Sequence, residues 1–536
     1  MASREQQPLV ILGLDVGDPR LIEQMVCEGT LPNIRGLIDR GMWGRIGGPE
    51  MLCEHGIWTG IFSGLSRRQH GYHYFRQLQP RSYTLQAVKG PDVPAPPFWE
   101  HLKQSGRSVA IIDAPDVDPV LGLPGSQISH WAVHDPPSPS LSEPPELLPD
   151  LAREFGPQSI IIENLNSTYE EDVEIYRQLL SRIARKGKLC RHILAKRSYQ
   201  LVVAVFAETH TGTHQFWRYR PEANTEEPRA LGNAIRNIYE QIDEQIGLLI
   251  RAVPANANVC LLGGTGMDDH YPTGGLVEDF CLKLGYQVTW QPAESAFNAK
   301  AMFRRIVPER LRVGLSRYLS RETREHLLSD TFRNGTDWKR TTAFAIPSPY
   351  TAFIRINLVG REPEGIVPRE QYDQTLTRLE ADLHELIDPA TGDAAVLNVS
   401  RTTEVFKCEP HESLPDLFVE FKPLDRFLES LVHPKATLRQ TRPEFFRSSD
   451  HSHEGFFAMA GPAIPPIGDV GVIDLLDVAP TCLSLLEWPI PRNMPGRPIF
   501  ECQASALAGQ IQVAKGKRNP GVLKSPTLTL QKKRPE

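Results

Sequence analysis

Four short segments of this 536-residue chain press ionisable side chains against apolar text. Glu208-Thr-His210-Thr-Gly-Thr-His214 follows the apolar run 201–207. Two histidines four apart share a face if the segment is helical, and neutral imidazoles placed that way suit Zn, Fe or Ni. Gly212 weakens such a helix and histidines recur at this spacing by chance, so the pair by itself reads either as metal ligands or as ordinary polar residues. Asp450-His451-Ser452-His453-Glu454-Gly455 precedes the run 456–460, and Met51-Leu52-Cys53-Glu54-His55-Gly56 precedes Ile57-Trp58-Thr59. Each mixes ligand-type residues with glycine, as a site loop does and as a polar turn does. Asp15 ends the first apolar run, where a carboxylate either does chemistry or caps the next helix.

Such residues need a scaffold, and the hydrophobic pattern supplies one. Leu9–Val16 reads as a fully buried strand, and Gly17-Asp18-Pro19 turns it into helical text. Strand-like runs recur at 108–113, 201–207 and 258–262, separated by helical patterns at 98–104, 169–185, 229–253 and 276–284. Strands joined by crossover helices predict an α/β fold with a mostly parallel sheet covered on both faces. Functional residues of such sheets gather past the carboxyl ends of the strands. Residues 135–149, DPPSPSLSEPPELLP, are too proline-rich for regular structure and predict an exposed loop. Residues 300–325 are amphipathic and basic, with Lys300, Arg304, Arg305, Arg310, Arg312, Arg317, Arg321 and Arg324 against Glu309, Glu322 and Glu325. They read as a solvated helical face or as a cap over an anionic substrate.

Composition narrows the function classes. Charged residues at 23% and hydrophobic residues at 40% are ordinary for a globular enzyme. The net charge of −6 is divided unevenly: residues 511–536 hold seven basic side chains against one acid, a net +6 that leaves −12 for the rest. An acidic body predicts no nucleic-acid partner, and the tail, with three prolines and no apolar period, reads as a solvated disordered end. The amino-terminal text lacks signal-peptide architecture, and no stretch approaches the roughly 18 apolar residues of a membrane-spanning helix. The eight cysteines are scattered without CxxC spacing, against a zinc knuckle or a disulfide framework. The expectation is a cytoplasmic protein with reduced thiols, no membrane contact and a small-molecule substrate.

Read in order, LGLDVGDP, EGTLPNIRGLIDRGMWG, WTGIFSG, QHGYHYF, FAETHTGTHQFWRY, VCLLGGTGMDDHY, GREPEGIV at 360–367, PDL at 415–417, HSHEGFFAMAGP and DVAPTCLSLLEWPIPRNMPGRPIF resemble one family. It is the alkaline phosphatase superfamily, in particular its branch of type I phosphodiesterases and nucleotide pyrophosphatases. The resemblance runs from about residue 8 to about residue 500. It implies an alkaline-phosphatase-like, mostly parallel sheet with helices on both faces in a catalytic domain of residues 1–510, to which 285–450 contribute an inserted cap; 511–536 remain as the basic tail.

The resemblance also implies a two-metal site. One metal takes an Asp and two His; the other takes an early Asp, an Asp-His pair and a Ser, Thr or modified Cys that attacks phosphorus or sulfur. Asp15 matches the early Asp, and His214 and His451 match the two His. His210, however, stands where the family places Asp, Gly264 and Thr265 stand where it places the Asp-His pair, and the nucleophile position, ten residues before Gly64, falls on Glu54. Asp15 and Glu54 alone are poor anchors for a second cation. One divalent ion is therefore expected on His210, His214 and His451, zinc first with iron or manganese as alternatives, and Asp15 and Glu54 are the further candidate ligands.

Glu54 reads as a general base toward water, as a fourth ligand or, least favoured, as a covalent nucleophile. Asp15 is expected to support by orienting a water, a substrate donor or His55. Asp268-Asp269-His270 offers a weaker rescue of the second metal. Cys53 is one place out of register for the modified cysteine of sulfatases and lacks the C-x-P-S-R context. The expected activity is metal-dependent hydrolysis of a phosphodiester or related anionic ester. The alternatives are a metal-dependent lyase or oxidative enzyme on the same scaffold, and a catalytically inactive binding protein.

Overall fold

The computed structural model describes residues 7–136, 138–164, 166–221, 229–271, 273–290, 320–442 and 447–501. Through its centre runs a ten-stranded sheet in the order Gly468–Asp474, Met42–Gly47, Gly455–Ala460, Asn258–Asp269, Leu9–Val16, Leu201–Phe206, Val109–Ile112, Gly125–Ser129, Leu141–Glu143. Ser449–Ser452 pairs with the far half of Asn258–Asp269. Leu9–Val16 lies parallel to both neighbours, and the parallel pairing continues through Val109–Ile112 to Gly125–Ser129. Gly455–Ala460 runs antiparallel to the strands on either side of it.

Leu9–Val16 is buried along its length except at Asp15, as a strand covered on both faces must be. Its side chains alternate between two cores. Val10, Leu12 and Leu14 pack with residues of the helices Tyr169–Lys196 and Ala234–Ala252; Leu9 and Ile11 pack with residues of Ile57–Ser63 and Val478–Leu485. Each aliphatic side chain buried this way is worth about 1.5–3 kcal/mol, so a polar residue is tolerated only where the strand leaves the core, and Asp15 marks that point.

Three expectations shift. The strand predicted for 258–262 extends to Asp269, because Ser449–Ser452 pairs with the glycine-rich text that no alternation betrays. The helix predicted for 169–185 runs on to Lys196 behind a capping box of Thr168 and Glu171. The proline-rich 135–149 is not wholly a loop: Leu141–Glu143 pairs with Gly125–Ser129, and the helix Leu147–Phe155 starts inside it. Proline is compatible with an edge strand because nothing needs to be donated on the open side.

A second, antiparallel sheet has the order Ala343–Ile346, Ala352–Ile356, Leu417–Phe421, Val396–Arg401. With the helices Gly274–Lys283 and Tyr372–His384 it encloses its own apolar core. Of the basic stretch 300–325, residues 300–319 lie outside the described residues, as does the tail 511–536. What is described is the helix Arg321–Gly335, whose Glu325 takes a bidentate ion pair from Arg76 at 2.5 and 2.6 Å. Among the described residues no helix is long and apolar enough to cross a membrane.

Candidate metal centre

Asp15 stands at the carboxyl end of Leu9–Val16, and the helix Glu208–Phe216 begins where Leu201–Phe206 ends. Thr265 lies in the extension of Asn258–Asp269, and Ser449–Ser452 delivers His451 to the same end of the sheet. This is the edge at which open α/β sheets collect their chemistry. His210 and His214 are one helical turn apart, with ring centroids 5.0 Å from each other. Gly212 between them costs about 1 kcal/mol in helix propensity. Its place is set by close packing: a Cβ there would stand 2.3 Å from Ile238 Cδ1 on the helix Ala234–Ala252, so that methyl would have to move.

The three imidazoles converge. His451 lies 4.7 Å from His210 and 5.0 Å from His214, centroid to centroid, and one ligand nitrogen from each ring falls within 4.8 Å of the others. His214 Nδ1 hydrogen-bonds Ser449 Oγ at 2.9 Å and His451 Nδ1 hydrogen-bonds Thr265 Oγ1 at 2.8 Å. The two Nε2 atoms then face each other at 3.3 Å. Two ligands held about 2.0–2.1 Å from one tetrahedral ion stand about 3.3–3.4 Å apart, so the spacing fits a shared cation as it fits an imidazole–imidazole hydrogen bond. Burial and the charge of Arg447 push the His214 imidazolium well below its ordinary range; burial brings His451 down to about 4, against the pull of Asp15. Both rings are neutral at pH 7, the form that binds metal.

Both carboxylate oxygens of Asp15 are engaged by nitrogen: Oδ1 accepts from Trp58 Nε1 at 2.7 Å and Oδ2 pairs with His210 Nδ1 at 3.2 Å. Burial alone would raise this carboxyl, but His210 and Trp58 outweigh it and hold it below the usual range. Asp15 therefore fixes the His210 ring and leaves its Nε2 without a hydrogen-bond partner among the described residues. Its partners here are Trp58 and His210, beside the expectation that it orients a water, a substrate donor or His55. Gly264 is part of the same arrangement, because a Cβ there would lie 2.9 Å from Trp58 Nε1. An aspartate at 264 and the indole on Asp15 exclude each other sterically.

The proposed rescue set points elsewhere. Asp268 pairs with Arg20, Asp269 accepts from Trp217 Nε1 and Arg220, and the His270 backbone N–H reaches Ser448 O.

Glu54 is aimed by a buried arginine that spacing gave no reason to single out. The Arg67 guanidinium donates to the carbonyls of Glu50, Cys53, His55 and Tyr72, and the Glu50 carboxylate accepts from Ser66 Oγ and the Arg67 backbone N–H. The loop so pinned places Glu54 Oε1 3.1 Å from His55 Nδ1 and Oε2 2.6 Å from His451 Nε2. Neither contact has hydrogen-bond geometry, and the buried Oε2 has no hydrogen-bond partner among the described residues. Cys53 turns away, with its thiol on the carbonyl of His73.

Three residues of the site lie outside the segments that the spacing marked. Arg447, a few positions before His451, donates from Nη1 to His214 Nε2 at 2.7 Å, keeps Nη2 3.9 Å from Glu54 Oε1 and stacks on Tyr350 at 4.2 Å. His134 lies face to face on His210, centroids 3.9 Å apart, with Nδ1 3.4 Å from both Glu163 Oε1 and Thr211 Oγ1. Burial drives His134 well down and Glu163 up. His134 sits at the start of proline-rich text with no ligand spacing around it, and Glu163 carries no sequence signal.

No protein-family model matches the chain, and no curated protein matches it by sequence. Solved structures do. Phosphonoacetate hydrolase from Sinorhizobium meliloti 1021, in complex with phosphonoformate, superposes with a TM-score of 0.50 at 12% identity, over 90% of this chain and 95% of that one. Murine ectonucleotide pyrophosphatase / phosphodiesterase 5 gives 0.46 at 12% identity, over 92% of this chain and 98% of that one. At such identities the likeness is one of fold, and the first comparison carries it: the chain shares the α/β fold of that phosphonoacetate hydrolase.

Proposed function

We propose that this protein is a metal-dependent hydrolase of a phosphodiester or related anionic phosphorus ester, built around one divalent cation held by His210, His214 and His451. Zinc suits three neutral imidazoles best, with iron or manganese as alternatives. The observation that carries the proposal is the pair of Nε2 atoms 3.3 Å apart, each on a ring whose Nδ1 is already engaged. A cation held there supplies Lewis-acid chemistry: it polarises a phosphoryl oxygen and eases ionisation of water.

The chain's own residues do the rest. Asp15 keeps His210 in the tautomer that presents Nε2, and Trp58 holds Asp15. Glu54 Oε2, buried and unspent, takes the proton of the attacking water. Arg447 receives an anionic oxygen of the substrate, offsetting the negative field of the −12 body. The choice of phosphorus as the reacting atom is supported by the phosphonoacetate hydrolase that shares the fold. A reducing, cytoplasmic setting belongs to the same reading, supported by seven described cysteines that are all free thiols.

The test is metal analysis of the full chain purified without added metal, paired with assays on bis(4-nitrophenyl) phosphate and phosphonoacetate. One equivalent of metal with turnover that a chelator abolishes is the expected result. Two equivalents of zinc with turnover refute the single cation. A redox metal without ester hydrolysis refutes the hydrolase in favour of an oxidative enzyme, and no metal at all makes the chain a binding protein.

A further inference from the structure

Arg447 already holds the lone pair on His214 that a cation needs. Its Nη1 donates at 2.7 Å to His214 Nε2, the same nitrogen that faces His451 Nε2 at 3.3 Å. An imidazole nitrogen has one in-plane lone pair, so it accepts one N–H or binds one cation. The other side of the ring offers no substitute, because Nδ1 is engaged with Ser449 Oγ at 2.9 Å. A guanidinium stays charged across the physiological range, so Arg447 yields the nitrogen only by moving. Its surroundings permit that: the planar head lies over the Tyr350 ring at 4.2 Å, Glu54 Oε1 stands 3.9 Å from Nη2, and the His214 bond is the one hydrogen bond its five N–H groups make among the described residues. A guanidinium driven off by a dication, with most of its fork unspent, takes up the nearest carboxylate, phosphate or phosphonate oxygen.

We propose that Arg447 couples the two binding events: it rests on His214 Nε2, leaves when a divalent cation takes that nitrogen, and then grips the anionic group of the substrate. This rests on the three-histidine cation of the preceding subsection. Because linkage is reciprocal, an anion that engages Arg447 tightens the cation by the same factor that the cation tightens the anion. The site therefore selects substrates that bring a full negative charge next to the reacting centre over neutral esters of the same shape.

The experiment measures zinc affinity of the full chain against a chromophoric chelator, with and without methylphosphonate as the anionic probe. Wild type is expected to bind zinc about tenfold more tightly when methylphosphonate is present. Arg447→Met, which keeps length without charge, is expected to bind zinc about tenfold more tightly than wild type in the absence of the anion and to lose the anion effect. Arg447→Lys, which keeps the charge, retains the wild-type pattern. The proposal is overturned if methylphosphonate leaves wild-type affinity unchanged, a result that needs no variant to fold, or if Arg447→Met binds zinc no more tightly than wild type. Zinc that binds neither protein removes the three-histidine reading as well, whereas zinc that binds both equally removes the coupling alone.

Discussion

Around Asp416, in the antiparallel sheet, Arg361 donates to both carboxylate oxygens, Tyr372 adds a hydroxyl donor, and Arg355 divides its fork between Glu362 and the carbonyls of His411, Glu412 and Leu414. Around His451, at the edge of the parallel sheet, the ionisable groups are somewhat less buried and incompletely paired. Glu54 Oε2, His55 Nδ1, His210 Nε2 and Glu163 Oε1 have no hydrogen-bond partner among the described residues. Leaving such an atom unpaired costs about 1–3 kcal/mol of folding free energy each. The first region spends its charges on one another and holds the sheet; the second keeps lone pairs unspent, at a cost to stability, where a ligand can use them.

The largest expected effect breaks the first region. Asp416→Ala strips Arg361 of its carboxylate and should cost about 3–5 kcal/mol in urea unfolding, with zinc affinity unchanged. Glu54→Gln, in the second region, should move stability by less than about 1 kcal/mol, because it removes a charge that had no hydrogen bond at Oε2 to lose. If Glu54→Gln destabilises as much as Asp416→Ala, the contrast between the regions is wrong.

Metal affinity sharpens it next. His214→Ala removes a ligand and should abolish measurable zinc binding, while Ser449→Ala removes only the hydroxyl behind that ligand and should weaken it about 10–100-fold. Equal losses from the two variants would show that Ser449 does more than orient the ring.

The regions also separate in pH. His214 and His451 are depressed below 6.5, so the stability that depends on their neutral forms is full above that pH and is lost as pH falls from 6.5 toward about 4. Asp416 is depressed below 3.8, burial being outweighed by Arg361, so its contribution is full above about 4 and is lost as pH falls through the folded value. Urea titrations of the metal-stripped chain should therefore show two acid losses, and zinc should suppress the first. A single loss below pH 4 would mean that the imidazoles are not held neutral. The smallest effect is the control: Glu409→Gln, at an exposed pair with Arg369, should change stability by no more than about 0.5 kcal/mol.

The strand Leu9–Val16 and the four-residue spacing of His210 and His214 were legible because each is a local pattern: a continuous apolar run for a strand covered on both faces, and one turn between two side chains on one helical face. His451 stood out from its neighbours in Asp450-His451-Ser452-His453 as a candidate ligand only through resemblance, since a short polar segment before an apolar strand has no periodicity to rank its residues. The extension of Asn258–Asp269 was not legible, because its partner Ser449–Ser452 lies 180 residues away and pairing across that distance leaves no mark on either stretch.

By itself the sequence determined which chemistry is available: three imidazoles and two carboxylates in short polar segments beside apolar runs, with glycine and threonine at 264 and 265. Only the tertiary structure decided how each is used. It put Trp58 on Asp15 in the space that Gly264 leaves, Thr265 on His451, and Arg447 on His214 Nε2, and it added His134 and Glu163 beside His210. The physical reason is that a lone pair's availability depends on which donor stands within about 3 Å of it, and those donors come from segments far apart in the chain.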